Sequence, residues 1–162
     1  SNLNRAKRRG VTFEIKESLT PEEYAEFGKM MGETVERNSG KNVYPPSAYF
    51  EHLFKALAGK GYDPAQASYT FFYGYQDGIP GACHLVIFFG KTATYLHGGS
   101  YSRALPSKVT TVLHWEAALE AKRLGYDYYD LGGIDADRWD SLTAFKRQFR
   151  GQEFREFRGQ DT

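Results

Sequence analysis

The sequence predicts an α+β domain, a central sheet flanked by helices, on three observations. Three strand-like runs follow one another between residues 67 and 100, a helical pattern precedes them, and a second long helical pattern leads from them into a short apolar strand. Successive short-linked strands pair antiparallel, and a strand reached through a helix extends the sheet in a different sense, so the order implies a splayed central sheet.

Each element has a local reason. "VTFEI" alternates apolar and polar side chains from Val11 to Ile15, the period of a half-buried strand. "TPEEYAEFGKMMGETVER" carries Thr20 as N-cap, Pro21 in the first turn and Glu23 to close a capping box, with Tyr24, Phe27, Met31 and Val35 along one face. Pro45 and Pro46 then introduce a second helix over residues 47–58, stopped by Gly59. Turn chemistry at Asp77-Gly78 and Gly90-Lys91 cuts the aromatic and β-branched stretch that follows into three strands, an antiparallel meander. A helix is expected from about Pro106 to Gly125, then the strand "YDYYD" and the turn Gly132-Gly133. Ser141 caps a last helix, in which Leu142, Phe145 and Phe149 form an apolar stripe and Lys146 takes the i+4 place, and an aromatic segment closes the chain. No internal repeat is present.

With 162 residues, 41% hydrophobic and 16% aromatic, the chain has the size and composition of one folded domain with a real core, not of a disordered chain. The expected division is a basic leader or linker over residues 1–10 and the domain itself over 11–162. No apolar run is long enough to cross a bilayer; the longest, near Leu85 to Phe89, is broken by Gly90 and Lys91. One cysteine, Cys83, has no partner for a bridge and no metal-ligand spacing around it, which suits a buried strand residue in a reducing compartment. The net charge of +1 hides basic clusters at both ends, from Arg5 to Arg9 and from Lys146 to Arg158. These read either as solvated faces or as surfaces for anions such as RNA phosphates.

Chemistry has three natural places. Tyr95 to Ser107 runs from a strand through His97, Gly98, Gly99 and Ser100 into a helix start, where backbone N–H groups and the helix dipole would suit an anion, although glycine there also serves dihedral freedom alone. Asp130 ends a strand, where a carboxylate orients an amine, acts as base, or caps a loop. Lys146 either snorkels to water or aims its ammonium into a cleft. Among the four histidines, His97 beside the glycines is the one placed to meet a ligand, since His52, His84 and His114 show no mutual ligand spacing. The Q/R-x-x-G-x-G/A pyrophosphate signature is absent, which speaks against acetyl-CoA.

The segments "YLHGGS", "HWEAALEAKRLGYDYYDLGGID" and "LTAFKRQF" together resemble the C-terminal domain of the FemABX family of peptidoglycan-bridge aminoacyltransferases, whose hallmarks are YDxxGI followed by FKxxF. "LNRAKRRGVTFEI" is similar to the join between that family's two domains. The resemblance implies a GNAT-like fold, the acyl-CoA N-acyltransferase architecture. It implies an aminoacyltransferase that uses aminoacyl-tRNA as co-substrate, without cofactor or metal, and appends an amino acid to the stem peptide of a lipid-linked or nucleotide-linked muropeptide. Lys146 matches the lysine that contacts the reacting acyl group, Phe145 packs beneath it, and Arg37 resembles an arginine that binds precursor phosphate. His97, Gly98, Gly99, Ser100 and Asp130 would line the cleft.

A missing N-terminal GNAT-like domain is the further partner implied, and the location implied is cytoplasmic, at the inner face of the membrane or free of it. Two departures from the pattern stand out: Arg150 precedes Gly151 where relatives have glycine directly after FKxxF, and His97 stands where an aromatic residue is common. Two other functions fit the same residues. One is a CoA-dependent N-acyltransferase holding pyrophosphate at the Gly98-Gly99 turn; the other is a non-catalytic RNA-binding module that works through its basic ends.

Overall fold

A computed structural model of the chain describes residues 9–38, 67–131 and 156–158. Six strands form one sheet in sequential order: β1 (Val11–Lys16), β2 (Ala67–Gln76), β3 (Ile79–Phe89), β4 (Thr92–Ser100), β5 (Tyr128–Asp130) and β6 (Glu156–Arg158). The pairs from β1 to β4 are antiparallel, and β4–β5 and β5–β6 are parallel. Helix α1 (Pro21–Asn38) lies on one face and helix α2 (Val109–Arg123) on the other. The expected helix at 47–58, the turn at Gly132-Gly133 and the helix carrying Phe145 and Lys146 lie outside the described residues, as does the leader up to residue 8.

The local signals act as their chemistry requires. The Thr20 hydroxyl accepts from the Glu23 N–H at 3.1 Å while the Glu23 carboxylate accepts from the Thr20 N–H at 3.0 Å, a reciprocal capping box that satisfies two donors at the start of α1. Asp77 and Gly78 both adopt positive φ, 52° and 78°, the primed turn that matches the twist of a tight hairpin. Gly125, at φ 90°, ends α2: its N–H reaches the Lys122 carbonyl, and the Tyr126 N–H reaches that of Ala121, which together make a Schellman cap.

The long helix expected from Pro106 starts later. Residues Ser102–Ser107, with Pro106 among them, wind as a 3-10 turn, Lys108 sits in the left-handed region at φ 66°, and α2 proper begins at Val109. Pro106 is tolerated in the tight turn because it stands before the α-helical hydrogen-bond ladder begins.

Two glycines set how closely the helices approach the sheet. A Cβ on Gly74 of β2 would lie 2.5 Å from the Val109 side chain, so α2 beds its first turn there. A Cβ on Gly99 of β4 would lie 2.4 to 2.7 Å from backbone atoms of Met30 and Met31, so the α1 backbone itself rests on the strand. That approach buries Met30 completely, beside the expected stripe of Phe27, Met31 and Val35. On this face α1 covers Phe71, Tyr73, Cys83 and Leu85; on the other, α2 covers Phe72, Ala82, Val86, Phe88 and Ala93. Cys83 is buried and free, as its place in a strand suggests.

Gly99→Ala should therefore destabilise the domain by about 3 kcal/mol, because helix backbone cannot yield as a side-chain tip can. Gly32→Ala, in the interior of α1 with no atom near the added methyl, should stabilise it by about 0.5–1 kcal/mol. Urea unfolding of the two variants checks both signs.

Candidate functional site

The parallel pair β4–β5 is short. Its rungs are Thr92–Tyr128, Ala93–Tyr129 and Thr94–Asp130, and beyond the last of these β4 continues to Ser100 with β3 as its partner among the described residues. The carboxyl ends of parallel strands are where the chain supplies binding groups in open sheets. Tyr95, His97, Gly98, Gly99 and Ser100 lie on β4 past the last described rung, and Asp130, half-buried, belongs to that rung.

A bulge reorders the side chains at this point. Val86 pairs with Tyr95 but Leu85 pairs with His97, so Leu96 is the extra residue on β4 and stands partly exposed. Simple alternation would put Tyr95, His97 and Gly99 on one face. The bulge instead sends Tyr95 and Gly98 to the α2 face, opposite Val86 and His84, and leaves His97 and Gly99 opposite Leu85 and Cys83 on the α1 face. His97 is half-buried, and burial lowers its pKa so that the ring stays neutral at pH 7.

Helix α1 clamps the exit of β4 with four side chains. The Thr34 hydroxyl accepts from the Ser100 N–H at 3.0 Å and donates to the Met30 carbonyl at 3.0 Å. Arg37 spreads its fork over the strand end: Nη1 donates to the Ser100 carbonyl and to the Ser102 hydroxyl, both at 2.9 Å, and Nη2 donates to the Ser100 hydroxyl at 2.8 Å and to Thr34 at 3.2 Å. The Glu33 carboxylate accepts from the Ser102 N–H at 2.9 Å, and the Glu26 carboxylate accepts from the Tyr101 hydroxyl. Arg37 is thus engaged inside the chain. An anion would have to compete with Ser100 and Ser102 for it, and Ser100 is buried in the clamp.

Sequence spacing missed a second cluster, on the α2 face of β3, β4 and β5. His84 of β3 and His114 of α2 are both buried, their ring centroids 4.3 Å apart, and Tyr95 packs against both at 4.8 and 4.7 Å. His114 Nδ1 is hydrogen-bonded to the Tyr129 hydroxyl at 2.8 Å. Desolvation holds His84 down to about 3 and His114 well below its ordinary value, so both imidazoles are neutral in the fold. The two histidines are thirty positions apart, and only the pairing of β3 with β4 and the seat of α2 unite them. One signal was present for half of the pair: His114 shares the buried stripe with Ala117, Ala118 and Ala121.

Arg37→Ala should lower stability by about 2 kcal/mol, since it strands the Ser100 and Ser102 groups it satisfies, and Arg37→Lys should not restore the loss because an ammonium cannot span both serines. Chemical denaturation measures both. The histidine pair should make stability fall as the pH drops below 6.5, where the unfolded chain takes up protons that the fold refuses, by up to about 1.4 kcal/mol per pH unit for each ring. For His84 the loss continues to about pH 3. His84→Leu should flatten that slope in urea titrations between pH 7 and 5.

Comparison with known proteins agrees with this fold. The family model described as "Acetyltransferase (GNAT) domain" matches residues 1–147. No curated protein matches the chain. Among solved structures the chain is similar to FemX, with a TM-score of 0.63 at 18% identity over 90% of this chain and 51% of FemX, so it spans about half of that protein's length. It is similar to the C-terminal domain of a putative lysylphosphatidylglycerol synthetase from Agrobacterium fabrum, with a TM-score of 0.57 at 20% identity over 97% of this chain and 47% of the other. An aminoglycoside acetyltransferase from an uncultured soil metagenomic sample, seen with sisomicin, gives a TM-score of 0.56 at 12% identity over 86% and 87%. At these identities the likeness is one of fold, and it agrees with the GNAT-like domain that the FemABX resemblance implies. The chain belongs to the acetyltransferase (GNAT) domain family.

Proposed function

We propose that the chain is the acyl-transferring domain of an aminoacyltransferase that moves an amino acid from aminoacyl-tRNA to the amine of a muropeptide stem. The observation that carries this reading is the position of the YDxxGI motif. Its first two residues, Tyr129 and Asp130, end β5 at the last described rung of the β4–β5 ladder, the carboxyl end of a parallel pair, where binding groups gather in open sheets. FemX, half of whose length the chain spans, supports the same direction.

The reaction asked of such a site is aminolysis of an ester. The acceptor nitrogen attacks the carbonyl carbon, a C–N bond forms, the C–O bond to the tRNA terminal ribose breaks, and the proton that the nitrogen sheds ends on the departing ribose oxygen. The tetrahedral stage bears an oxyanion, for which the Lys146 ammonium is the proposed partner, with Phe145 beneath the acyl group; a fixed cation at such a charge is worth on the order of 3 kcal/mol. Asp130 and His97 are proposed to line the acyl site at this end of β4 and β5. With its fork held by Ser100 and Ser102, Arg37 would serve mainly to fix the wall on which Gly98 and Gly99 lie. No resident cofactor is required by this chemistry, since the activated ester arrives with the tRNA. Among the described residues no helix is long and apolar enough to cross a membrane.

Full-length protein incubated with charged tRNAs and lipid-linked or nucleotide-linked muropeptide should form an amide detectable by mass spectrometry. Lys146→Met should fold normally and lower turnover about 100-fold or more. Turnover equal to that of the parent protein would refute the role of Lys146. Acetyl-CoA consumed in place of charged tRNA would instead identify a CoA-dependent N-acyltransferase.

A further inference from the structure

We propose that one rim of the domain, formed by the approach to β1, the Asp77-Gly78 hairpin and the turn Ser102–Ser107, rests on the surface of an anionic lipid bilayer. Contact of this kind is independent of the chemistry at the ends of β4 and β5.

Hydrogen bonds staple the three segments together. The Asp77 N–H donates to the Gly10 carbonyl at 3.0 Å, Arg9 Nη1 to the Pro106 carbonyl at 2.6 Å, and Arg103 Nη2 to the Pro80 carbonyl at 2.5 Å. Ala104 seats the turn on β3, packed so that a Cβ on Gly81 would lie 3.1 Å from its own, and both Ala104 and Ser107 are buried. The other side of the turn therefore faces out. Arg103 and Leu105 are exposed on it, and so is Lys108, whose left-handed backbone leads into α2.

The rim carries positive charge that the fold does not cancel. Residues 9–10, 77–80 and 102–108 include Arg9, Arg103 and Lys108 against a single carboxylate, Asp77. Glu33 reaches the turn from α1, where the Ser102 N–H engages it. Among the described residues no carboxylate stands within ion-pair distance of the three cations. Each arginine is anchored instead by a carbonyl, which orients the guanidinium without neutralising it. Arg103 is held further by the Tyr101 ring, 4.6 Å from its centroid.

Apolar side chains stand on the same rim. Ile79 is 55% exposed at the hairpin and Leu105 39% exposed on the turn. One exposed aliphatic residue is ordinary in a folded domain. Two on a rim with three such cations have the composition of a lipid contact, in which aliphatic side chains enter beneath the headgroups while the cations hold the phosphates. An RNA stem would match the cations but gives Ile79 and Leu105 nothing, since RNA rewards aromatic stacking and hydrogen bonding.

The test is sedimentation of full-length protein with vesicles of equal parts phosphatidylglycerol and phosphatidylcholine, and with vesicles of phosphatidylcholine alone. Binding to the first should be tighter by about 10-fold or more. Arg9→Gln with Lys108→Gly should weaken it about 10-fold or more, and glycine suits the left-handed backbone at position 108, so folding is spared there. Ile79→Ser with Leu105→Ser should also weaken it about 10-fold or more. Lys91→Gln with Lys122→Gln makes the same change in net charge at the far ends of β3 and α2, and should leave binding within about 2-fold of the parent protein. A parent protein that ignores anionic vesicles, rim variants that bind as the parent does, or an equal loss in the Lys91 and Lys122 variant would overturn the proposal. Loss of RNA affinity in the Arg9 and Lys108 variant, with vesicle binding as in the parent, would overturn it in favour of an RNA surface.

Discussion

The contact between the α1 backbone and Gly99 is the constraint on which the rest of the described structure depends. With any side chain at position 99 the helix would have to stand off from β4, because the added carbon would fall on the main chain of Met30 and Met31. Brought so close, α1 reaches the strand end with short side chains as well as long ones. Thr34 takes the Ser100 N–H, Glu33 takes that of Ser102, and Arg37 spans Ser100 and Ser102 together. Hydrogen bonds of this kind contribute modestly one by one, but each also satisfies a group that would be costly to bury alone.

A strand held so firmly at its end gives its neighbours a fixed frame. Among the described residues β4 and β5 share three rungs, up to Thr94–Asp130, and β4 continues along β3 to the clamp. This part of the sheet has α1 clamped over the end of β4 on one face and the His84, His114, Tyr95 and Tyr129 rings on the α2 face. The two helices thus have separate tasks, α1 fixing the end of β4 and α2 backing the β4–β5 pair.

Much of this was legible in the sequence, and the reasons are local. Thr20 with Glu23, Asp77 with Gly78, and Gly125 after a helix each carry their own geometry, so the start of α1, the hairpin and the end of α2 could be placed without tertiary knowledge. Gly98 and Gly99 were recognisable as special, but spacing could not tell ligand access from packing; the structure fills one with Tyr95 and the other with α1. The Leu96 bulge left no pattern to read, since inserting one residue reverses the faces without changing composition. The His84–His114 pair was invisible for a simpler reason: nothing local links a strand residue to a helix residue thirty positions on. Lys146, on which the sequence argument for catalysis leans, lies outside the described residues.

The claim that the acyl donor enters between β4 and β5 can be tested directly by hydrogen–deuterium exchange on the full-length protein, with and without a stable amide-linked aminoacyl-tRNA analogue. Slowed exchange in peptides covering Tyr95 to Gly99 and Asp130 to Leu131 is the expected result. Protection confined to other segments, such as β1 or the far end of α2, with β4 unchanged, would contradict it.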